Sequence, residues 1–268
     1  MNTIDTYTVP IMADLAAQGK TPEYLFWVGC AGAFDARYKR VTVAFAKLLL
    51  HAGVDFAILG SEETCNGDPA RRAGNEMLFQ MQALRVIEML NGYKVTKILT
   101  CCPHCFNIFK NEYPELGGKY EVTHHSVFLQ ELMEKGILKA DKNALKNKSI
   151  AYHDPCYLGR GNDIYEPARE INKSVTDKII EMPRNRSKAL CCGAGGAQMF
   201  KEAEPGLKEV YIERTEEALQ TGADIIATSC PFCMTMITDG IKYKNREDEV
   251  KNLDIAELLL MSLSTESK

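Results

Sequence analysis

Short apolar runs alternate along the chain with longer amphipathic stretches. Residues 24–28, 54–59, 95–99, 150–152 and 225–227 are the clearest of the runs, and their length and content predict strands buried on both faces. Between them, Met77, Met81, Leu84, Ile87 and Leu90 recur at helical spacing ahead of Asn91-Gly92. Leu207, Val210, Tyr211 and Ala218 do the same ahead of Gly222. Both stretches predict helices that pack an apolar stripe into a core and stop at glycine. Alternating strands and helices imply parallel sheets with helical crossovers, and open sheets of that kind bind ligands beyond the carboxyl ends of their strands. Cysteines follow these ends: Cys30, Cys65, Cys101, Cys156 and Cys230 each lie just after a run.

The pattern repeats. Cys30, Cys65, Cys102 and Cys105 return as Cys156, Cys191, Cys230 and Cys233, with offsets 156−30 = 126, 191−65 = 126, 230−102 = 128 and 233−105 = 128. KILTCCPHC is answered by DIIATSCPFC, VGC by DPC, and EVTHHSVFLQELM by EVKNLDIAELLLMS. An internal duplication of about 120 residues accounts for this. It predicts an α/β protein of two pseudo-symmetric, Rossmann-like halves, over residues 24–140 and 146–262, preceded by an N-terminal arm, 1–23. The halves differ at one telling place, where Cys191-Cys192-Gly193 stands against Cys65-Asn66-Gly67.

Composition narrows the chemistry. The 268 residues are 46% apolar and 25% charged with a formal net charge of −4, which excludes a disordered chain and offers no basic surface for nucleic acid. No apolar run approaches the ~18 residues of a membrane span, and the opening residues lack a basic segment followed by an apolar one. A cytoplasmic protein, peripheral to a membrane at most through a partner, is therefore expected. There the ten cysteines stay reduced and free for metals or redox work.

Three uses of these thiols compete. A structural zinc site closes with two CxxC pairs near one another, whereas each half here has one CxxC and two single cysteines. Dithiol exchange at Cys102-Pro103-His104-Cys105 needs two cysteines and leaves the other matched positions without a role. Iron–sulfur ligation uses all of them. It also suits Cys191-Cys192-Gly193-Ala194-Gly195-Gly196, whose glycines let backbone N–H groups approach an anionic centre. That spacing is not the GxGxxG of a dinucleotide loop.

Cys156, Cys191-Cys192-Gly193 and Cys230-Pro231-Phe232-Cys233 together resemble the cysteine-rich CCG domain of the heterodisulfide reductases and their relatives, among them the iron–sulfur subunit of glycolate oxidase. The first half, with Cys30, Cys65-Asn66-Gly67-Asp68-Pro69 and Cys102-Pro103-His104-Cys105, resembles the same domain in degenerate form. GDPARRAGNE and CPHCFNIFKNEYPELGG are similar to segments of larger iron–sulfur oxidoreductases. The resemblance implies a non-cubane [4Fe-4S] cluster on Cys156, Cys191, Cys192, Cys230 and Cys233. In the first half it leaves Cys30, Cys65, Cys102 and Cys105, a set of four that suits a cubane [4Fe-4S] cluster, with Asn66 where a fifth thiolate is expected. Cys101 could restore a fifth ligand, but it falls in the register of Ser229 and is expected to be buried or to stand behind the ligands.

The function so implied is electron transfer in an oxidoreductase complex. No ferredoxin-type CxxCxxCxxxCP run occurs, so a ferredoxin-type iron–sulfur or flavoprotein partner subunit is expected to exchange electrons with the chain. The alternative is reduction of a disulfide substrate at the second cluster, with Cys192 and His153 as catalytic residues. Asn66 favours the relay, because paired disulfide cleavage prefers two open clusters. His153 and Asp154 either serve cluster sulfur and protons or hold a turn. Arg71, Arg72 and Arg160 either balance cluster charge or are solvated helix-start charges. His104, His124, His125 and His51 are expected to be structural, the methionines to be core, and Trp27 to shield a cluster. The tail SLSTESK is expected to fray.

Overall fold

The structure, a computed structural model, describes residues 8–202 and 205–263. The strands are β1 (Tyr24–Trp27), β2 (Phe56–Ala57), β3 (Lys97–Thr100), β4 (Glu121–His124), β5 (Ile150–Tyr152), β6 (Ile179–Ile180), β7 (Ile225–Thr228) and β8 (Lys251–Asp254). They form two four-stranded sheets in the orders β2-β1-β3-β4 and β6-β5-β7-β8, and every strand pair within them is parallel. The duplication is thus expressed in topology as well as in sequence, and the chain is an α/β protein of two similar halves. β7 reads Ile-Ile-Ala-Thr and is buried at all four positions, as a strand covered by helices on both faces must be.

Each sheet has its switch point at its second strand. From β1 the chain crosses to β2 on one side and later to β3 on the other, and β5 stands in the same relation to β6 and β7. The crevice beyond the carboxyl ends at such a point is where open α/β sheets hold ligands. Cys30 follows β1 and Cys102 follows β3, while Cys156 follows β5 and Cys230 follows β7.

Helices Lys39–His51 and His125–Glu134 of the first half pack against Glu166–Val175 and Ile255–Ser262 of the second. Phe45, Leu48 and Leu49 meet Leu129, Ile171 and Leu259 in this shared core, which binds the halves into one body. Polar ties cross the same seam. Arg37 makes a bidentate pair with Glu257, at 2.8 and 2.7 Å, and Nε2 of His125 lies 2.9 Å from the Asp254 carboxylate, both side chains fully buried. Asp254 and His124 cap the helices that follow β8 and β4, so the repeat places these two caps at equivalent positions, and His125 links them through Nδ1, 3.2 Å from His124 Nε2.

Several details depart from the expected pattern. The helix over Glu76–Gly92 buries Phe79, Ala83, Val86, Ile87 and Leu90, whereas Met77, Met81 and Leu84 are exposed. The helix has two apolar stripes two residues out of phase, which puts them on opposite sides at about 100° per residue; the sheet takes the stripe with Phe79. Gly92 is helical, and Lys94 takes the left-handed turn at φ 58°. Leu207 precedes the helix Val210–Gln220 and is exposed, as is Val210. Of the N-terminal arm, residues 1–7 lie outside the described part. Ile11 pairs with Ile58 beside β2, and Met12 is buried. Of the tail, Ser262 is buried and the last five residues lie outside the described part. Among the described residues no helix is long and apolar enough to cross a membrane.

Burial raises the Asp254 carboxyl to about 7, against a lowering hydrogen bond from the Ala256 N–H. An acid raised in the folded state binds its proton more tightly there than in the unfolded chain, so its stabilisation is present at low pH and is lost as pH rises through the folded value. Asp254→Asn keeps the cap and removes this titration. In denaturant melts between pH 5 and 7, wild type should lose stability with rising pH relative to Asp254→Asn, by at most about 1.4 kcal/mol per pH unit. Parallel pH profiles would contradict this.

Candidate metal centres

The first centre is built from three turns. Gly29, at φ +78°, opens the short helix Gly29–Phe34 that carries Cys30. The buried carboxylate of Glu63 accepts from the Val28 and Gly29 N–H groups at 3.0 and 2.6 Å, tying the Cys30 turn to the loop of Cys65. Gly67, at φ +92°, turns its N–H back to the Cys65 sulfur at 3.4 Å. A Cβ there would lie 2.8 Å from the Phe79 ring, so the turn requires glycine. Cys102 stands at the N-cap of the helix that holds Cys105. Cys30, Cys65, Cys102 and Cys105 line one pocket, together with Trp27, Asn66 and, from the other half, Phe232.

The second centre repeats the plan. Gly193, at φ +90°, donates its N–H to the Cys191 sulfur at 3.3 Å, and Cys230 is the N-cap of the helix Pro231–Tyr243, with Cys233 in its first turn. Cys192 lies 3.3 Å from Cys233, sulfur to sulfur. Contacts run on from Cys156 to Cys191, from Cys191 to Cys192, and from Cys233 to Cys230, so the structure brings all five of these cysteines together. Cys101 points elsewhere: its side chain joins the core between the halves, and Tyr38 donates to its carbonyl at 3.1 Å.

The two centres adjoin. His104, inside the first CxxC, packs edge to face on Phe232, inside the second, with ring centroids 4.8 Å apart. Nδ1 of His104 lies 3.1 Å from Asp68, in the turn after Cys65, and the imidazole also hydrogen-bonds Cys230 of the other half. Each CxxC thus lends its third residue to the opposite centre. Sequence alone gives His104 a local structural role. The signal that could have found it is its register with Phe232, together with the position of the cysteines at the switch point.

Crowding and burial dominate the titration of the thiols. Burial, and then the neighbouring Cys102 and Cys65, push Cys30 up to about 12. Burial works against ionisation of Cys230, but hydrogen bonds from Cys233 and His104 outweigh it and bring this thiol down to about 5. Cys191 is held well below the ordinary thiol range by hydrogen bonds from Cys156 and Cys192 and by the Gly193 N–H, against burial, while hydrogen bonding to Cys191 and burial raise Cys156. Some of these thiols can ionise alone, but the full sets become thiolates together only with metal cations among them.

Side chains around the thiols divide into engaged and open groups. Asp154 is clamped by Arg169 at 2.7 and 2.9 Å, so it holds the turn before Cys156. Arg160 donates to the Ala189 carbonyl, two residues before Cys191, and Arg71 and Arg72 pair with Glu112. Trp27 is buried against Phe109, and His51 ends an exposed helix terminus. The polar atoms buried without a hydrogen-bond partner among the described residues include Asn66 Nδ2 at the first centre, and His153 Nε2 and Arg214 Nη2 at the second. A ligand-position atom of His153 lies within 4.8 Å of Cys192 Sγ and Cys233 Sγ. Nδ1 of the same ring accepts from Arg214 Nε at 2.9 Å. Unpaired buried polar atoms are costly unless something meets them. An N–H donor beside a thiol set fits an anionic, sulfur-rich group such as an iron–sulfur cluster.

Comparison with known proteins agrees with this geometry. The cysteine-rich CCG domain matches twice, over residues 24–110 and 150–238. The chain is 45% identical to a probable iron–sulfur-binding oxidoreductase, FadF, of Bacillus subtilis, over 95% of this chain and 36% of that one. It is 43% identical to an EtfAB:quinone oxidoreductase of Syntrophomonas wolfei, over 91% of this chain and 35% of that one. A subunit of the dihydromethanophenazine:CoB--CoM heterodisulfide reductase of Methanosarcina acetivorans is 33% identical over 90% of this chain and 60% of its own length. The chain therefore spans about a third of the length of the first two relatives. With both halves matched, the chain belongs to the cysteine-rich CCG domain family.

Proposed function

We propose that this chain carries electrons within an oxidoreductase complex through two iron–sulfur clusters, a cubane [4Fe-4S] cluster on Cys30, Cys65, Cys102 and Cys105, and a non-cubane [4Fe-4S] cluster on Cys156, Cys191, Cys192, Cys230 and Cys233. The observation that carries this reading is the abutment of two complete thiol sets through the His104–Phe232 ring pair, with Cys102, Cys105, Cys192, Cys230 and Cys233 in one continuous buried layer. When bound, such clusters take up and release single electrons. The chain's own residues hold them. The Gly67 and Gly193 N–H groups and the N-terminus of helix Pro231–Tyr243 supply donors to sulfur, which favours the thiolate and the cluster's negative charge. Exposure of Cys30 gives the first centre an edge at the surface, where a ferredoxin-type or flavoprotein subunit would exchange electrons. The names of the relatives, an oxidoreductase that acts between EtfAB and quinone among them, support a partner-dependent role, with any membrane contact made through that partner.

Disulfide reduction at the second centre is the second reading. A shallow pocket lined by Asp68, Arg72, His104, Gly196 and Phe200 reaches the loop after Cys192, and one relative belongs to a heterodisulfide reductase. In that reading Cys192 and His153 are the catalytic residues.

Three outcomes test the assignment. Asn66→Cys should change the electron paramagnetic resonance spectrum of the first cluster and leave the second as it was; an unchanged first spectrum would remove Asn66 from that centre. Cys192→Ala should abolish the signal of the second cluster alone, and loss of both signals, or of neither, would contradict separate centres. His104→Phe retains every thiol and should shift the signal of the second cluster although it lies in the first CxxC. A shift confined to the first cluster would rule out the crossed arrangement.

A further inference from the structure

We infer that Arg214 is a positioning residue that fixes His153 as the Nε2–H tautomer and so makes it a permanent hydrogen-bond donor toward the second centre, rather than a metal ligand or a proton shuttle. A neutral imidazole carries one N–H and one lone pair, and which nitrogen holds the proton is set by the partner of the other. The partner here is unambiguous in sense. A guanidinium has donors and no acceptor and does not lose its proton in proteins, so the 2.9 Å contact from Arg214 Nε to His153 Nδ1 can only be accepted by Nδ1. The ring proton then resides on Nε2, which has no partner among the described residues, on a ring that has a nitrogen within 4.8 Å of the Cys192 and Cys233 sulfurs. Metal ligation would need the lone pair that this arrangement has moved to Nδ1. A second proton would need the same Nδ1 lone pair, which the Arg214 N–H already occupies.

Arg214 is itself held in place. It is fully buried, its Nη1 donates to the Arg184 carbonyl at 2.9 Å and lies 3.3 Å from Glu217, and Glu217 accepts from Arg184 N and Nε at 2.7 and 2.8 Å. The guanidinium is therefore locked in rotation, and its charge also acts on Cys233. Among the described residues the first half has no such imidazole–guanidinium pair at the matching position. The repeat sets Trp27 against His153, since 153−27 = 126 is the offset of Cys30 and Cys156, and the helix Glu76–Gly92, opposite Val210–Gln220, buries only apolar side chains. A fixed donor and a buried cation favour the more negative, reduced state of a bound cluster, so the second cluster is tuned upward in potential by a cation that the Asn66 amide of the first centre does not supply.

The inference rests on the second-cluster assignment, and the test separates the two. The chain loaded with its clusters is compared with Arg214→Met, Arg214→Gln and His153→Phe, using a redox titration followed by electron paramagnetic resonance and proton double-resonance spectra in H2O and D2O. Wild type should show an exchangeable proton coupled to the second cluster, absent in His153→Phe. Arg214→Met should weaken that coupling and lower the one-electron reduction equilibrium of the second cluster at least tenfold, about 59 mV, with the first cluster unmoved. Arg214→Gln, whose amide N–H still reaches Nδ1, should keep the coupling and show a smaller shift. An Arg214→Met protein with full iron content and unchanged coupling and potential would overturn the inference. If that variant fails to load, Arg214→Gln and His153→Phe decide: identical coupling in wild type and His153→Phe overturns it as well. A wild type without any signal from the second centre would overturn the cluster assignment itself.

Discussion

Removing several thiolates from water to one buried layer is expensive, and the fold is arranged around offsetting that cost. A buried anion needs donors or cations at contact distance, and a thiol that lacks them keeps its proton. The donors come from backbone that has been bent for the purpose. Gly67 and Gly193 adopt left-handed conformations that aim an N–H at the sulfur of the cysteine two residues before each, Cys65 and Cys191, and Cys230 opens a helix whose first N–H groups point along its axis toward the sulfur. Parallel sheets with a switch point at β1 and β5 bring the strand-end cysteines to these donors. The core between the halves then holds both sets in register.

Duplication supplied two copies of that solution, and divergence has made them unequal. Asn66 stands where Cys192 stands, Cys101 where Ser229 stands, Trp27 where His153 stands, and His104 where Phe232 stands. Three of the four changes touch a thiol set directly. They leave the first centre with four cysteines, an amide donor and an aromatic wall, and the second with five cysteines, an imidazole donor and a buried guanidinium. One of them also crosses between the centres, because His104 meets Cys230 while Phe232 lines the cavity of Cys30 and Cys65. The two thiol sets are thus unequal in their surroundings and joined by a ring pair.

Much of this is legible in the sequence because it depends on local pattern. The continuous apolar character of β1, β3, β5 and β7 identifies the parallel strands, and the constant offset of the cysteines identifies both thiol sets without any knowledge of the fold. Features set by tertiary packing are not legible. Helical spacing shows that Met77, Met81 and Leu84 share a face, but only the sheet's preference for Phe79 and Val86 decides which face is buried. His104 reads as a local residue because its partners, Asp68 and Cys230, lie 36 and 126 positions away. Arg214 gives no signal at all, since nothing in VYIERTEEALQ marks one arginine of a charged helix for full burial.

The most direct measurement is iron and acid-labile sulfide per chain on anaerobically purified protein, with electron paramagnetic resonance of its oxidised and reduced states. The account predicts about eight irons and eight sulfides, as two four-iron clusters contain, with two distinguishable signals. About four irons with a single signal would make one half a relic of the duplication, and bound zinc in place of iron would contradict the account altogether.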